Sequence, residues 1–587
     1  MQSITVATRP LSVYAFDPSQ GHSLGNYMTI HVPYEDLKPG PSGPYIDVID
    51  YDSTNKRYYQ AVDLDDRAIL LKGGLDPSES DPRFHQQMVY AVSRETMHIF
   101  ERALGRRLSW GYRRREPLRL FPHAMQEANA FYDRSIKGIV FGYFAASADD
   151  PGNNLPNQTV FTCLSHDIVA HETTHAILDG QRRYFMQDTN PDVLAFHEAF
   201  ADIVALFQHF SYRDALYETM VRTGGYIYRA QIDPVVNPSG DGPAITYEMK
   251  RSNPLIELAK QFGESMGRRA ALRSALGTPP NSRVLDTTTE PHDRGAILVA
   301  AVFDAYFTSL QNKTADLFRI ARAGGTQIGA NDIHPDLASR LCDEATRLAQ
   351  HFATMCIRAI DYCPPVDLTF GDYLRALVTA DADLYPDDPF DYREALIEAF
   401  RLRGIHPANV VSMSEDSLRW RGVDPNQEVP ICLGLQFDLM SGQTPAMEKA
   451  NGRALSNFAA KHAAALRLVP NLDKQPFAHS FHPLIRTNDG FSRVQIVAEL
   501  MQRKDVPSDP SDPKSPKIRR YGGSTIHLNA DGAVRYIIHK GLNESGRDAR
   551  QQAHFERNLA ARGSSTYIKD RDALDTTVNF AAAHRGY

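Results

Sequence analysis

At 587 residues the chain can hold several domains and a large core, and its 42% hydrophobic and 23% charged content is ordinary for a soluble globular protein. A formal net charge of -7 gives no electrostatic basis for binding nucleic acid or an anionic membrane. The five cysteines are odd in number and lack Cys-x-x-Cys spacing, which argues against a disulfide framework and a thiolate zinc site and for reduced thiols.

The N-terminus has no basic start followed by an apolar run, so no secretory signal is read. The longest apolar stretch, Ala296 to Phe303, is too short to span a bilayer. The expected location is the cytoplasm; a specialised export route needing no such signal stays open. Residues 1 to about 80, rich in Pro, Gly, Asp and Tyr, suggest strands and loops. Residues 84–104 carry a helical apolar pattern that Gly105 should stop. The basic run Arg113-Arg114-Arg115 reads as a solvated loop. Asn129-Ala130-Phe131-Tyr132 is followed by a strand over 136–144, whose glycines can admit another backbone closely.

Ser165 to Leu178 reads as a helix with Ser165 as N-cap and Gly180 as stop. Pro191 to about Phe210 reads as a second, with a broad apolar face through Val193, Leu194, Phe196, Phe200, Val204 and Phe207. Further helices are expected around 255–276, after His292, over 334–361 and over 390–402. Composition shifts after about Ile405. The tail is expected to form a helix from Ala446 to Leu468, a strand over 493–497, a mobile Asp505–Lys517 loop and a hairpin from Ser524 to His539.

The chemistry concentrates in His171-Glu172-Thr173-Thr174-His175. Residues four apart share a helix face, so two imidazoles can meet one metal ion while Glu172 reaches a water on it. A third ligand fits Glu198, and 22 residues separate it from His175, enough to finish a helix, turn and return antiparallel. Two imidazoles and a carboxylate suit zinc with an open position for water. That water's pKa would fall from about 15.7 towards about 7. Glu172, not a ligand, can then take its proton. Asp202, one turn after Glu198, can accept the second N–H of a ligand histidine, His171 in particular.

These segments resemble the thermolysin-like branch of the gluzincin metallopeptidases, over about 80 to 405. The resemblance is carried by His171-Glu172-x-x-His175, by Glu198-Ala199-Phe200-Ala201-Asp202, by Asn129-Ala130-Phe131-Tyr132 and by Pro291-His292-Asp293-Arg294-Gly295, in the family's order. It implies His171, His175 and Glu198 as ligands of one Zn2+, Glu172 as general base, and an edge strand where Asn129 and Ala130 hold an extended peptide. It also implies His292 as a donor to the tetrahedral intermediate, Tyr184 as a second such donor, and Ile168 lining the pocket after the scissile bond. The family's Asp five residues before the intermediate-binding histidine is Thr287 here, with Asp286 and Glu290 as substitutes. The family's paired calcium site keeps Asp167 but meets His209 where a second acid is needed, so structural calcium is expected to be absent.

The expected fold is α+β: a β-rich lobe over 1–160, a helical zinc-binding lobe over 161–405, and an appended α+β unit over 406–587. The expected function is a zinc-dependent endopeptidase acting on a peptide or protein. A gluzincin aminopeptidase and a non-catalytic zinc-containing binding protein stand as alternatives. The appended unit reads as a partner-binding or autoinhibitory module.

Overall fold

The computed structural model describes residues 7–578, apart from 16, 19–25, 113–115, 150, 152–153, 224–228, 237–244, 253–278, 326–332, 425–428, 439–442, 489–490, 510, 563–566 and 571–572. The basic run at 113–115 and the helix expected around 255–276 lie outside the described residues. The described chain is α+β.

Strands β1 (Thr8–Tyr14) and β2 (Tyr27–Pro33) pair antiparallel. A second sheet runs in the order β3 (Ile46–Val48), β6 (Leu118–Met125), β8 (Gly138–Ala145), β7 (Ala130–Asp133), and β9 (Thr159–Phe161) pairs with the far end of β8. Between these strands lie the small hairpin β4 (Tyr51–Asp52) and β5 (Arg57–Tyr58), helix α1 (Arg67–Lys72) and the long helix α2 (Pro82–Leu104). Among the described residues strand β7 is therefore an edge, paired only with β8 from Ala130↔Phe141 to Asp133↔Gly138. The β8 glycines do admit close backbone: a Cβ on Gly142 would lie 2.2 Å from the Glu127 carbonyl oxygen and 2.8 Å from that of Asn129.

The helical part comprises α3 (His166–Gln181), α4 (Pro191–Phe210), α5 (Arg213–Thr223), α6 (Val284–Thr287), α7 (Pro291–Ala323), α8 (Pro335–Ala359), α9 (Phe370–Leu384), α10 (Tyr392–Leu402) and α11 (Glu415–Leu418), with the hairpin β10 (Arg229–Val236) and β11 (Ile245–Ser252) after α5. Starts are written in the sequence. Asp81, Asn190 and Glu290 accept the N–H groups of Arg83, Asp192 and Asp293, each ahead of a helix whose first residue is proline. Helix α4 is long and apolar enough to cross a membrane by composition, yet its apolar window is 94% buried, which makes it the central core helix here.

Two local expectations are corrected. Gly180 does not stop α3, which continues to Gln181; a Cβ at Gly180 would lie 2.2 Å from the Ser109 carbonyl oxygen, so glycine serves a close chain crossing. Ser165 holds the N-cap position of α3 but its side chain makes no capping bond.

The C-terminal part contains α12 (Pro445–Lys461), β12 (Phe477–Asn488), β13 (Phe491–Pro507), β14 (Lys517–Asn529), β15 (Val534–Lys540), α13 (Arg547–Arg562), β16 (Tyr567–Asp570) and β17 (Ala573–Val578). The sheet order is β12-β13-β14-β17-β16, and β15 pairs with another stretch of β14. Leu455, Phe458, Leu466, Ile496, Leu500, Ile526 and Leu528 form a core of its own. The expected 505–517 loop shrinks to 508–516, because β13 and β14 extend into it and Ser508 N–H closes onto the Pro516 carbonyl at 2.7 Å. The compositional shift at Ile405 precedes the end of the helical core. Leu418 is buried in that core, and Trp420 donates from its ring to the Tyr362 carbonyl at 2.9 Å. All five cysteines are buried and unpaired.

Candidate metal centre

Helices α3 and α4 place the two acidic and imidazole segments face to face. His171 Nε2 and His175 Nε2 lie 2.9 Å apart, brought together by their four-residue spacing on one helix face. Glu198 on α4 faces both, with Oε2 3.5 Å from His171 Nε2 and Oε1 3.8 Å from His175 Nε2. All three are at most 5% exposed, so the donors converge away from bulk water. His171 Nδ1 donates to Asp202 Oδ1 at 2.8 Å, which directs its Nε2 lone pair at the shared point.

His175 is held differently. Its Nδ1 lies 2.9 Å from His197 Nδ1, and His197, fully buried on α4, directly precedes Glu198. Sequence reasoning assigned His197 no role. Its signal was a polar ring set on an otherwise apolar helix face, next to Glu198.

His292, the second residue of α7, reaches the same point: Nε2 lies 3.3 Å from Glu198 Oε2 and Nδ1 lies 3.0 Å from Glu290 Oε1. Its side chain is 42% exposed, which leaves it accessible to an incoming molecule. Of the expected substitutes for the orienting acid, Glu290 takes the position, while also capping α7 through Asp293 N–H at 2.7 Å. The reach depends on Gly295. A Cβ there would lie 2.8 Å from the Ala195 carbonyl oxygen, so only glycine lets α7 approach α4 this closely beside Glu198. Arg294 fastens the crossing, donating to Asp192 Oδ1 at 2.6 Å.

Electrostatics favour a cation here. Burial opposes charge on His171, but Asp202 and Glu198 outweigh it and push its pKa up to about 10. For His292 burial is likewise outweighed by Glu198 and Glu290, again to about 10. Burial would raise the Glu290 pKa, but the His292 ring and the Asp293 N–H outweigh it and hold it below its ordinary range. Both shifts record the negative charge that Glu198, Asp202 and Glu290 concentrate beside these rings.

Glu172 is 1% exposed and its Oε2 accepts the Tyr132 backbone N–H at 2.9 Å. This bond crosses from α3 to the edge of β7 and lies opposite the β8 ladder. Asn129 carbonyl oxygen faces β8, accepting from Gly142 N–H at 2.9 Å, so Ala130 and Tyr132 turn their backbone groups to the open edge. The Asn129 side chain accepts from Ala130 N–H at 2.9 Å. Ile168 lies one turn before the imidazole pair and is 3% exposed in the main core.

Tyr184 requires a correction. Its ring packs 4.8 Å from both His479 and Tyr521, among Val366 and Met501, and burial raises its hydroxyl to about 12. It serves the contact with the C-terminal sheet rather than the imidazole pair. Asp167 lies 3.3 Å from His209 and 3.6 Å from His166; two imidazoles surround the carboxylate where calcium would require oxygen donors.

Buried groups of His, Asp, Glu and Cys able to hold a metal ion thus occur around His171 and around Asp167, and a further one joins His85, His123 and Cys163. No family model matches the chain, and no curated protein matches it either.

Proposed function

We propose that this chain is a zinc-dependent endopeptidase of the thermolysin-like type, with His171, His175 and Glu198 holding one Zn2+. The observation that supports it is the convergence of three ligand side chains with Glu172 and His292 beside an open strand edge. A zinc ion held there by His171, His175 and Glu198 would supply a water of lowered pKa and polarise a carbonyl. Glu172 takes the proton of the attacking water and carries it to the leaving nitrogen. Its alignment comes from the Tyr132 N–H, which fixes one carboxylate oxygen and directs the other. His292, oriented by Glu290, donates to the oxyanion as charge develops. The edge of β7 binds the peptide as an added strand through Ala130, with Asn129 at its start.

Replacing Glu172 by Gln is expected to abolish peptide hydrolysis while the zinc content stays that of the parent. Cleavage products from a diverse peptide library, read by mass spectrometry, supply the assay. Parental activity in Glu172→Gln would overturn the general-base assignment. Zinc-loaded parent that cuts nothing would favour a binding protein, and products from free N-termini alone would favour an aminopeptidase.

A further inference from the structure

We propose that His85, His123 and Cys163 form a second metal site, for a thiophilic divalent ion of the zinc class. The three side chains come from separate elements: the first turn of α2, the middle of β6, and the short 3-10 turn Thr162–Leu164 that leads into α3. Their donor atoms all lie within 4.8 Å of one another, and none of the three residues is more than 1% exposed. The lack of Cys-x-x-Cys spacing does not bear on such a site, because its donors are brought together by the fold from positions far apart in sequence.

Hydrogen bonding around the rings makes the argument specific. His85 Nδ1 and His123 Nε2 face each other at 2.7 Å. The outer nitrogen of each ring meets an acceptor that has no proton to give: His123 Nδ1 lies 2.7 Å from Asp50 Oδ1, and His85 Nε2 lies 3.2 Å from the Glu79 carbonyl oxygen. With hydrogen on both outer nitrogens, both inner nitrogens turn lone pairs to one point near the Cys163 sulfur. A metal ion there would be held by both rings, and the carboxylate–histidine–metal arrangement is the usual way to orient such a ring.

Charge also balances. Coordination would remove the Cys163 thiol proton outright. A divalent ion is then matched by one thiolate and by the Asp50 carboxylate, itself fixed by Gln86 Nε2 at 2.8 Å. Imidazole and thiolate donors select zinc-class ions over calcium or magnesium, which take oxygen. Tetrahedral bonds of about 2.0–2.1 Å require the two nitrogens to open to about 3.3 Å, an adjustment the His171–His175 pair at 2.9 Å also needs. The site's place is structural. Cys163 stands two residues before the N-cap of α3, so the ion would fasten the start of the catalytic helix to α2 and β6.

Cobalt substitution of the full chain tests this apart from peptidase action, because the His171–His175–Glu198 set contains no sulfur. Saturating Co2+ is expected to give a thiolate-to-cobalt charge-transfer band in the near ultraviolet, retained in His175→Ala and lost in Cys163→Ser, with bound cobalt falling from two ions per chain to one in the latter. No band in the parent, or an undiminished band in Cys163→Ser, overturns the proposal. Should Cys163→Ser fail to fold, zinc-edge X-ray absorption of the parent decides: sulfur in the zinc coordination shell supports the site, and nitrogen and oxygen alone overturn it.

Discussion

The imidazoles of His171 and His175, the proposed ligands, are oriented by unlike partners, and the difference has a measurable consequence. His171 leans on a carboxylate, whereas His175 leans on the buried ring of His197. A neutral ring can take or give the single hydrogen between the two Nδ1 atoms, so it fixes the His175 ring plane without adding charge. Outer partners of metal ligands are typically worth 10–100-fold in metal affinity. His197→Ala is therefore expected to weaken zinc binding by about that factor, measured by competition with a chromogenic chelator. His197→Asn, which can still bond His175 Nδ1, should recover most of the loss. At saturating zinc both variants should keep peptide hydrolysis near the parental rate, since neither change touches Glu172 or His292. Unchanged zinc affinity in His197→Ala would show that packing alone positions His175.

Between elements, the crossing of α4 and α7 sets where His292 stands. In Gly295→Ala the new methyl would meet the Ala195 carbonyl oxygen at 2.8 Å, a backbone atom that cannot swing aside. The helix gains about 1 kcal/mol of propensity and loses about 1–3 kcal/mol to overpacking. The expected result is a modest fall in thermal stability and a fall in kcat with zinc content unchanged, because the N-terminus of α7 moves off Glu198. Gly324→Ala, at the far end of the same helix where an added Cβ has 3.5 Å or more of clearance, serves as the neutral control. Parental kcat and stability in Gly295→Ala would show that the crossing relaxes freely. The same pair of helices shows what could be read from the sequence. Proline starts, capping residues and the i, i+4 spacing of His171/His175 and Glu198/Asp202 are local signals; α4 begins at its proline behind the capping Asn190, while α3 starts after Ser165 without a capping bond and runs past Gly180. Gly180 and Gly295 were opaque because their reason is a neighbouring backbone distant in sequence. Tyr184 was opaque for the same reason: the resemblance alone singles it out, two residues early for the family's spacing, and the sheet it packs against begins almost three hundred residues later. The Tyr132 N–H on Glu172 was invisible because every residue but proline has one.

At the scale of the whole molecule, the C-terminal unit is built into the support of the centre. Arg547 donates to Asp367 Oδ2 at 2.7 Å, and the other Asp367 oxygen accepts from Thr189 at 2.7 Å and from Asn190 at 2.9 Å. Asn190 in turn caps α4, the helix that carries Glu198. A chain of bonds thus runs from α13 through one buried aspartate to the turn between α3 and α4. Arg182, after α3, makes a parallel link to the Cys363 carbonyl and to Glu499 on β13. Arg547 and Asp367 side chains are 2% and 6% exposed, so removing the cation strands a buried carboxylate. Arg547→Met is expected to cost about 3–5 kcal/mol, and Arg547→Met with Asp367→Asn should recover much of it because the stranded charge is gone. The pH response has a definite sign. Burial alone would raise the Asp367 pKa, but Arg547 and Lys540 outweigh it and lower it below the ordinary value of 3.8. Its contribution is therefore present above about pH 4 and lost as pH falls through the depressed value. The parent should lose stability on acidification across that range, and the double variant should lose less of it. Zinc retention followed through the same titrations distinguishes support of the proposed centre from mere docking: if Arg547→Met unfolds the C-terminal sheet while the zinc affinity of the remaining fold is parental, the bonded path from α13 to α4 carries no influence on the proposed metal ligands.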